Sequence, residues 1–225
     1  MSTEVAKRLF NVTEYYRMGD IGILSEDDGI ELLEGKLYDK NSGEKRRFNR
    51  DEYQRMIEAG ILMEGDRVEL IEGEIIKMSA MGTRHAECVD RLLDDLINQG
   101  VNRVARIRVQ NPIGIKDHSE PEPDIALLRR KAGFYAQAHP TPADVLLLIE
   151  VCDSTVKYDR EVKVPLYTKA GIPEVWLVIL PEDVVEVYAQ PVNGVYQEAR
   201  KARRSESIVA GLVPNLTLSV DAILG

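Results

Sequence analysis

The chain has 225 residues, 44% of them hydrophobic and 30% charged, with a formal net charge of -9 at pH 7. That length supports a substantial core, in one embellished domain or two small ones, and the acidic balance argues against indiscriminate binding to polyanions, which relies on Lys and Arg neutralising phosphate. No run approaches the roughly eighteen apolar residues of a membrane span, and the opening Met-Ser-Thr-Glu-Val-Ala-Lys-Arg lacks the apolar centre of a secretory signal, so a cytoplasmic protein without membrane partners is expected.

In chain order, the first signal is an internal repeat. Residues 10–40 align without a gap on 48–78, and the identical pairs include Phe10/Phe48, Glu14/Glu52, Tyr15/Tyr53, Met18/Met56, Gly22/Gly60, Glu34/Glu72 and Gly35/Gly73. Each copy reads as a short helix, with Thr13 or Asp51 as N-cap, then a glycine break and a hairpin turning at Glu-Gly, over 29–39 and 67–78. Two copies are too few for a solenoid. Residues 1–45 are therefore read as an added helix-hairpin module for dimer contacts or substrate grip, and 46–225 as the main domain, with the polar stretch 40–47 as the boundary.

Ala86, Val89, Leu92, Leu93 and Leu96 have helical spacing, and Gly100 is the stop. Residues 103–109 alternate basic and aliphatic side chains, which predicts a half-buried strand with Arg106 and Arg108 on one face. The aliphatic runs 124–128 and 145–151 read as buried strands. After a polar segment, a helix ends at Ala170-Gly171, with Pro165 marking its first turn or a kink. The run 174–180 is a further buried strand, parallel to the 145–151 strand because a crossover joins them. A hairpin of 184–189 with 194–199 and a Pro214-Asn-Leu-Thr-Leu tail close the chain. The order predicts an α/β or α+β fold, a mixed β-sheet with flanking helices.

If the strands 124–128 and 145–151 pair antiparallel, the start of one lies beside the end of the other. Asp124 and Glu150 would then meet at a sheet edge, where two hard carboxylates can share a divalent cation, with the Val151 carbonyl as a neutral third donor. Such a cation lowers the pKa of water and screens charge on phosphoryl oxygens, which points to phosphodiester hydrolysis. A lysine at the same edge would add electrostatic stabilisation. Basic clusters at 45–47, 103–108, 129–131 and 200–204 read either as solvated surface or as the lining of a groove. Cys88 and Cys152 lack metal-like spacing and read as free thiols.

These residues, together with 67–78, His85 ahead of its helix, Glu122-Pro-Asp124, Ile149-Glu-Val151 and the run 158–178, resemble the Uma-two restriction endonuclease family of the PD-(D/E)XK nuclease superfamily. The resemblance covers residues from about 48 to the C-terminus. It implies a restriction-endonuclease-like fold and a Mg2+- or Mn2+-dependent endonuclease acting on DNA. It further implies Asp124 and Glu150 as metal ligands, and a supporting role for Glu69 or His85. The superfamily lysine usually stands two residues after the second acid, where this chain has Cys152; the family replaces it from the following helix, and Lys163 matches that position. Double-strand cutting by a single-site fold needs two sites, hence a homodimer. The alternatives are a catalytically inactive module that binds nucleic acid or protein, and an assembly protein using the repeated hairpin as its interface. Arg106, Arg108, Arg129 and Arg130 gathered near the carboxylates would favour the nuclease.

Overall fold

The computed structural model describes residues 5–78 and 80–225. They form two compact units: 5–78 with 115–121, and the described part of 79–114 with 122–225.

In the first unit, helix α1 (Val12–Asp20) leads to the hairpin β1 (Ile30–Leu33) and β2 (Lys36–Asp39), and α2 (Arg50–Glu58) leads to β3 (Val68–Ile71) and β4 (Glu74–Lys77). Contacts recur 38 residues apart: Tyr15 Oη donates to the Ile30 carbonyl and Tyr53 Oη to that of Val68, both at 2.9 Å. Arg8 lies over the Phe10 ring and Arg46 over the Phe48 ring, at 5.2 and 5.3 Å. The helix caps are not Thr13 and Asp51. Asn11 and Asn49 stand there in extended backbone, and each closes a capping box with a glutamate three residues on. A side chain placed outside the first turn can accept from the N3 amide, which residues within that turn cannot. Both hairpins turn through Glu-Gly pairs at positive φ, 48° and 76° in the first and 48° and 81° in the second, the twist-compatible two-residue turn. A Cβ on Gly73 would meet that of Arg47 at 2.7 Å.

The second unit opens with α3 (Thr83–Asn98), whose buried face is Cys88, Val89, Leu92 and Leu96. Gly100, at φ 75°, caps a further helical turn, α4 (Val101–Val104). The predicted strand over 103–109 therefore begins only at Arg106. Its strand β5 (Arg106–Val109) is the edge of a six-stranded sheet completed by β6 (Ile125–Leu128), β7 (Val145–Cys152), β8 (Glu174–Ile179), β9 (Val184–Val192) and β10 (Val195–Arg203), in the order β10-β9-β8-β7-β6-β5. β7 and β8 are parallel and every other neighbour is antiparallel. The closing hairpin is longer than the sequence pattern indicates, because charged residues continue the ladder to Arg203.

The β7–β8 crossover is helical: α5 (Val156–Tyr158), a π turn at Asp159–Lys163, and α6 (Val164–Lys169). Pro165 sits at the start of α6. It lacks an N–H and crowds the preceding turn, and the wider π turn just ahead of it lets one helix run on. A small antiparallel pair, β11 (Ser207–Val209) and β12 (Thr217–Ser219), precedes α7 (Val220–Leu224). Alternation along β7 sends Leu147, Ile149 and Val151 into a core shared with α3, α7, β11 and β12. Leu148, Glu150 and Cys152 face the opposite side. Trp176 is fully buried and donates its indole N–H to Glu174 Oε1 at 2.7 Å.

Candidate active site

The register Ile125↔Ile149 sets Asp124 against Glu150 across the β6–β7 ladder. β6 starts only after Asp124, so the Val151 amide finds no strand carbonyl there and donates to Asp124 Oδ2 at 2.8 Å. The Asp124 amide in turn approaches Glu150 Oε2 at 3.4 Å. Both acids are buried, at 9% and 3% exposure. In an antiparallel ladder a residue's N–H and C=O face the same neighbour, so the Val151 carbonyl belongs to this open end as well.

His85 stands in the first turn of α3 and donates Nε2–H to Asp124 Oδ1 at 2.9 Å, since an ionised carboxylate only accepts. Gln110, just past β5, adds a second donor to that oxygen at 3.3 Å. Burial favours neutral Asp124, but the hydrogen bond and charge of His85, the Val151 amide and the Lys163 charge outweigh it, and the carboxyl pKa is lowered. Burial likewise lowers that of His85, and Asp124, Asp153 and Asp159 reverse this, so the imidazole titrates above its ordinary value.

Lys163 is the last residue of the π turn, buried, with Nζ 3.3 Å from Glu150 Oε1. Tyr167, one helical turn further, donates its hydroxyl to the same oxygen at 2.5 Å. Desolvation pushes the Glu150 carboxyl up to about 8; Lys163 opposes this, and the negative charges of Asp124 and Asp159 add to it. Asp159 is buried too, and its pKa is raised by desolvation against the Lys163 charge and hydrogen bonds from Thr155 and Cys152. Cys152, where the superfamily lysine would stand, is a fully buried thiol whose pKa desolvation holds well above its ordinary value.

Five of the predicted residues thus meet at one strand end: Asp124, Glu150, Val151, Lys163 and His85. Glu69 lies in the other unit, buried on β3 opposite Ile76. Sequence reasoning did not single out Tyr167, Gln110 or Asp159 as site residues. The four-residue interval from Lys163 to Tyr167, which puts both on one helix face, was the available signal for the tyrosine.

The donor set suits a hard divalent cation. Three buried carboxylates, Asp124, Glu150 and Asp159, gather around one ammonium, and the Glu150 pKa is raised by desolvation first and by the charges of Asp124 and Asp159 second. Among the described residues no group of three His, Cys, Asp or Glu side chains converges to hold a metal by itself. A cation here would rely on two carboxylates, a backbone carbonyl and water, the usual manner of Mg2+.

A mixed sheet flanked by helices, with acids gathered at a strand end, defines a restriction-endonuclease-like protein. The family model Uma2, described as "Putative restriction endonuclease", matches residues 50–221, and the chain belongs to that family. A crystal structure from Anabaena variabilis, described as "a putative nuclease belonging to DUF820", is 19% identical, with a TM-score of 0.62 over 79% of this chain and 97% of that chain. The two share a fold. No match is found among curated proteins. Among the described residues, no helix is long and apolar enough to cross a membrane.

Proposed function

We propose that the chain is a divalent-metal-dependent endonuclease that hydrolyses DNA phosphodiester bonds, using Mg2+ or Mn2+ and acting as a homodimer. The observation that carries this reading is the convergence of Asp124, Glu150 and Lys163 at one strand end, with Lys163 Nζ 3.3 Å from Glu150. Asp124 and Glu150 would hold the cation, with the Val151 carbonyl beside them. When bound, the cation lowers the pKa of an attacking water and screens charge on the phosphoryl oxygens. Lys163 is a buried ammonium donor beside Glu150, suited to stabilising negative charge that builds on the phosphate. His85 positions Asp124: its Nε2–H holds one carboxylate oxygen while the Val151 amide holds the other, which fixes the plane of the carboxylate.

The test is cleavage of duplex, single-stranded and branched DNA with Mg2+ or Mn2+ added. Metal-dependent cleavage is expected, with Asp124→Asn reducing it at least a hundredfold while the melting transition stays cooperative. Cleavage by the Asp124→Asn chain at the unmodified rate would remove these carboxylates from the chemistry. Absence of cleavage on every substrate would favour a non-catalytic binding module.

A further inference from the structure

A column of basic side chains runs along the open edge of the sheet and ends at the carboxylates. Ile107 and Val109 pack into the core under one face of β5. Arg106 and Arg108 therefore project from the other face, the one that carries Glu150. Arg108 stands opposite Ala126, and Ala126 opposite Leu148. Two residues further along the three strands come Gln110, Asp124 and Glu150, and the Gln110 amide donates to the Asp124 carbonyl at 3.0 Å. At about 3.4 Å per residue, Arg106 is about 14 Å from that rung.

The loop after β6 lays two aromatic rings on this column. Phe134 lies on the Arg106 guanidinium at 4.1 Å, and Tyr135 contacts Arg108 at 5.4 Å and Lys131 at 4.9 Å. Phe134 nevertheless keeps 59% of its surface exposed. Both residues have positive φ, 53° and 61°, a backbone that bulky side chains rarely adopt and that clusters at ligand clamps. Arg106 Nε is buried without a hydrogen-bond partner. Arg108, Arg129 and Arg130 meet the carbonyl oxygens of Phe134, Ala143 and Asn102 rather than carboxylates, whereas Lys131 is paired with Asp144 at 2.5 Å.

On a chain of net charge -9, this is a local concentration of uncompensated positive charge beside an exposed ring. Guanidinium groups recruit phosphates, and a ring with a free face stacks on a base whose own face is free. Bases inside a duplex have both faces covered. We propose that this sheet edge binds an unpaired DNA strand, one base stacked on Phe134 and the backbone along Arg108, Arg129 and Arg130, and directs it toward Asp124 and Glu150. The inference deepens the nuclease reading and rests on it for the destination of the strand, though not for the binding itself.

The test uses the full chain without added metal and fluorescence anisotropy with a labelled oligothymidylate of about 20 nucleotides, long enough to exceed typical single-strand sites, and the matched duplex. The single strand should bind more tightly than the duplex. Phe134→Leu should weaken single-strand binding about tenfold and leave duplex binding unchanged, and Phe134→Tyr should retain it. The Arg108→Ala, Arg129→Ala pair should flatten the slope of log affinity against log salt by about 1.4. Equal affinity for both DNAs, an unaltered Phe134→Leu chain, or displacement of the oligonucleotide by polyglutamate as readily as by unlabelled oligothymidylate would each overturn the proposal. Cleavage read separately distinguishes the two readings. The expected binding pattern without any metal-dependent cleavage supports the edge and removes the nuclease, whereas robust cleavage with wild-type binding by Phe134→Leu removes the edge alone.

Discussion

Glu186 shows how this chain stabilises a buried acid away from the site. It is 4% exposed and accepts from Arg160 through both oxygens at 3.0 Å, with Lys201 at 2.9 Å and Tyr188 at 2.7 Å. Burial raises its carboxyl pKa, but these donors together bring it below the ordinary 4.5. A lowered folded-state pKa contributes stability that is fully present above the unfolded value and lost as pH falls through the folded one. Glu186→Gln should therefore destabilise the protein by about 1.5–3 kcal/mol at pH 7, and the gap to wild type should narrow below about pH 4.5. Urea denaturation at both pH values measures this. Glu150 is the opposite case: its donors do not compensate for its burial and acidic neighbours. Alternation and strand pairing made the meeting of Asp124 and Glu150 legible from sequence. The Tyr167 hydroxyl was not, because a tyrosine in a helix facing a sheet looks like core, and only the register of that helix aims its Oη at Glu150.

At the scale of elements, the period-2 and period-3.6 patterns identified the hairpins, the central strands and α3, while irregular backbone escaped them. The π turn at Asp159–Lys163 is the clearest case. Pro165 signalled a disturbed helix, but nothing local distinguishes a kink from a widened turn that keeps the helix continuous. Gln110 at φ 50° is another, since a non-glycine residue in that conformation has no sequence signature. The caps were misplaced by two residues because Asn11 and Thr13, and likewise Asn49 and Asp51, are all good capping types. The geometry makes Asn49 the effective one, and Asn49→Ala should cost about 1 kcal/mol. A matched loss in Asn11→Ala is expected from its identical cap, φ -95° and ψ 172° in both, and chemical denaturation compares the two.

At the scale of the whole molecule, the two copies of the repeat share one core. Phe10 and Phe48 meet edge to face at 5.8 Å, and Met18, Met56, Leu37 and Leu70 belong to the same buried cluster. Arg17 reaches the carbonyls of Ala59 and Gly60 while Arg55 reaches that of Ile21, a reciprocal exchange between the helix ends. A chain beginning at residue 46 would leave half of that cluster facing water. It should bind a hydrophobic dye that the full chain excludes and unfold at lower urea, and equal dye binding by the two would count against a shared core. The alignment of residues 10–40 with 48–78 revealed the kinship of the copies but not this mutual burial, because like sequences can equally sit apart.

The lysine of the site has a consequence of its own. In a strand-borne arrangement the cation and the carboxylate would belong to one rigid ladder and fail together. Here Cys152 occupies the strand position and the ammonium arrives on the crossover, through a π turn. Lys163 and Tyr167, both donors to Glu150 Oε1, ride on that one segment, and its loosening would withdraw both at once. Elements of low local stability open without global unfolding, so on the nuclease reading proposed above the charge beside Glu150 would depend on the docking of this one crossover.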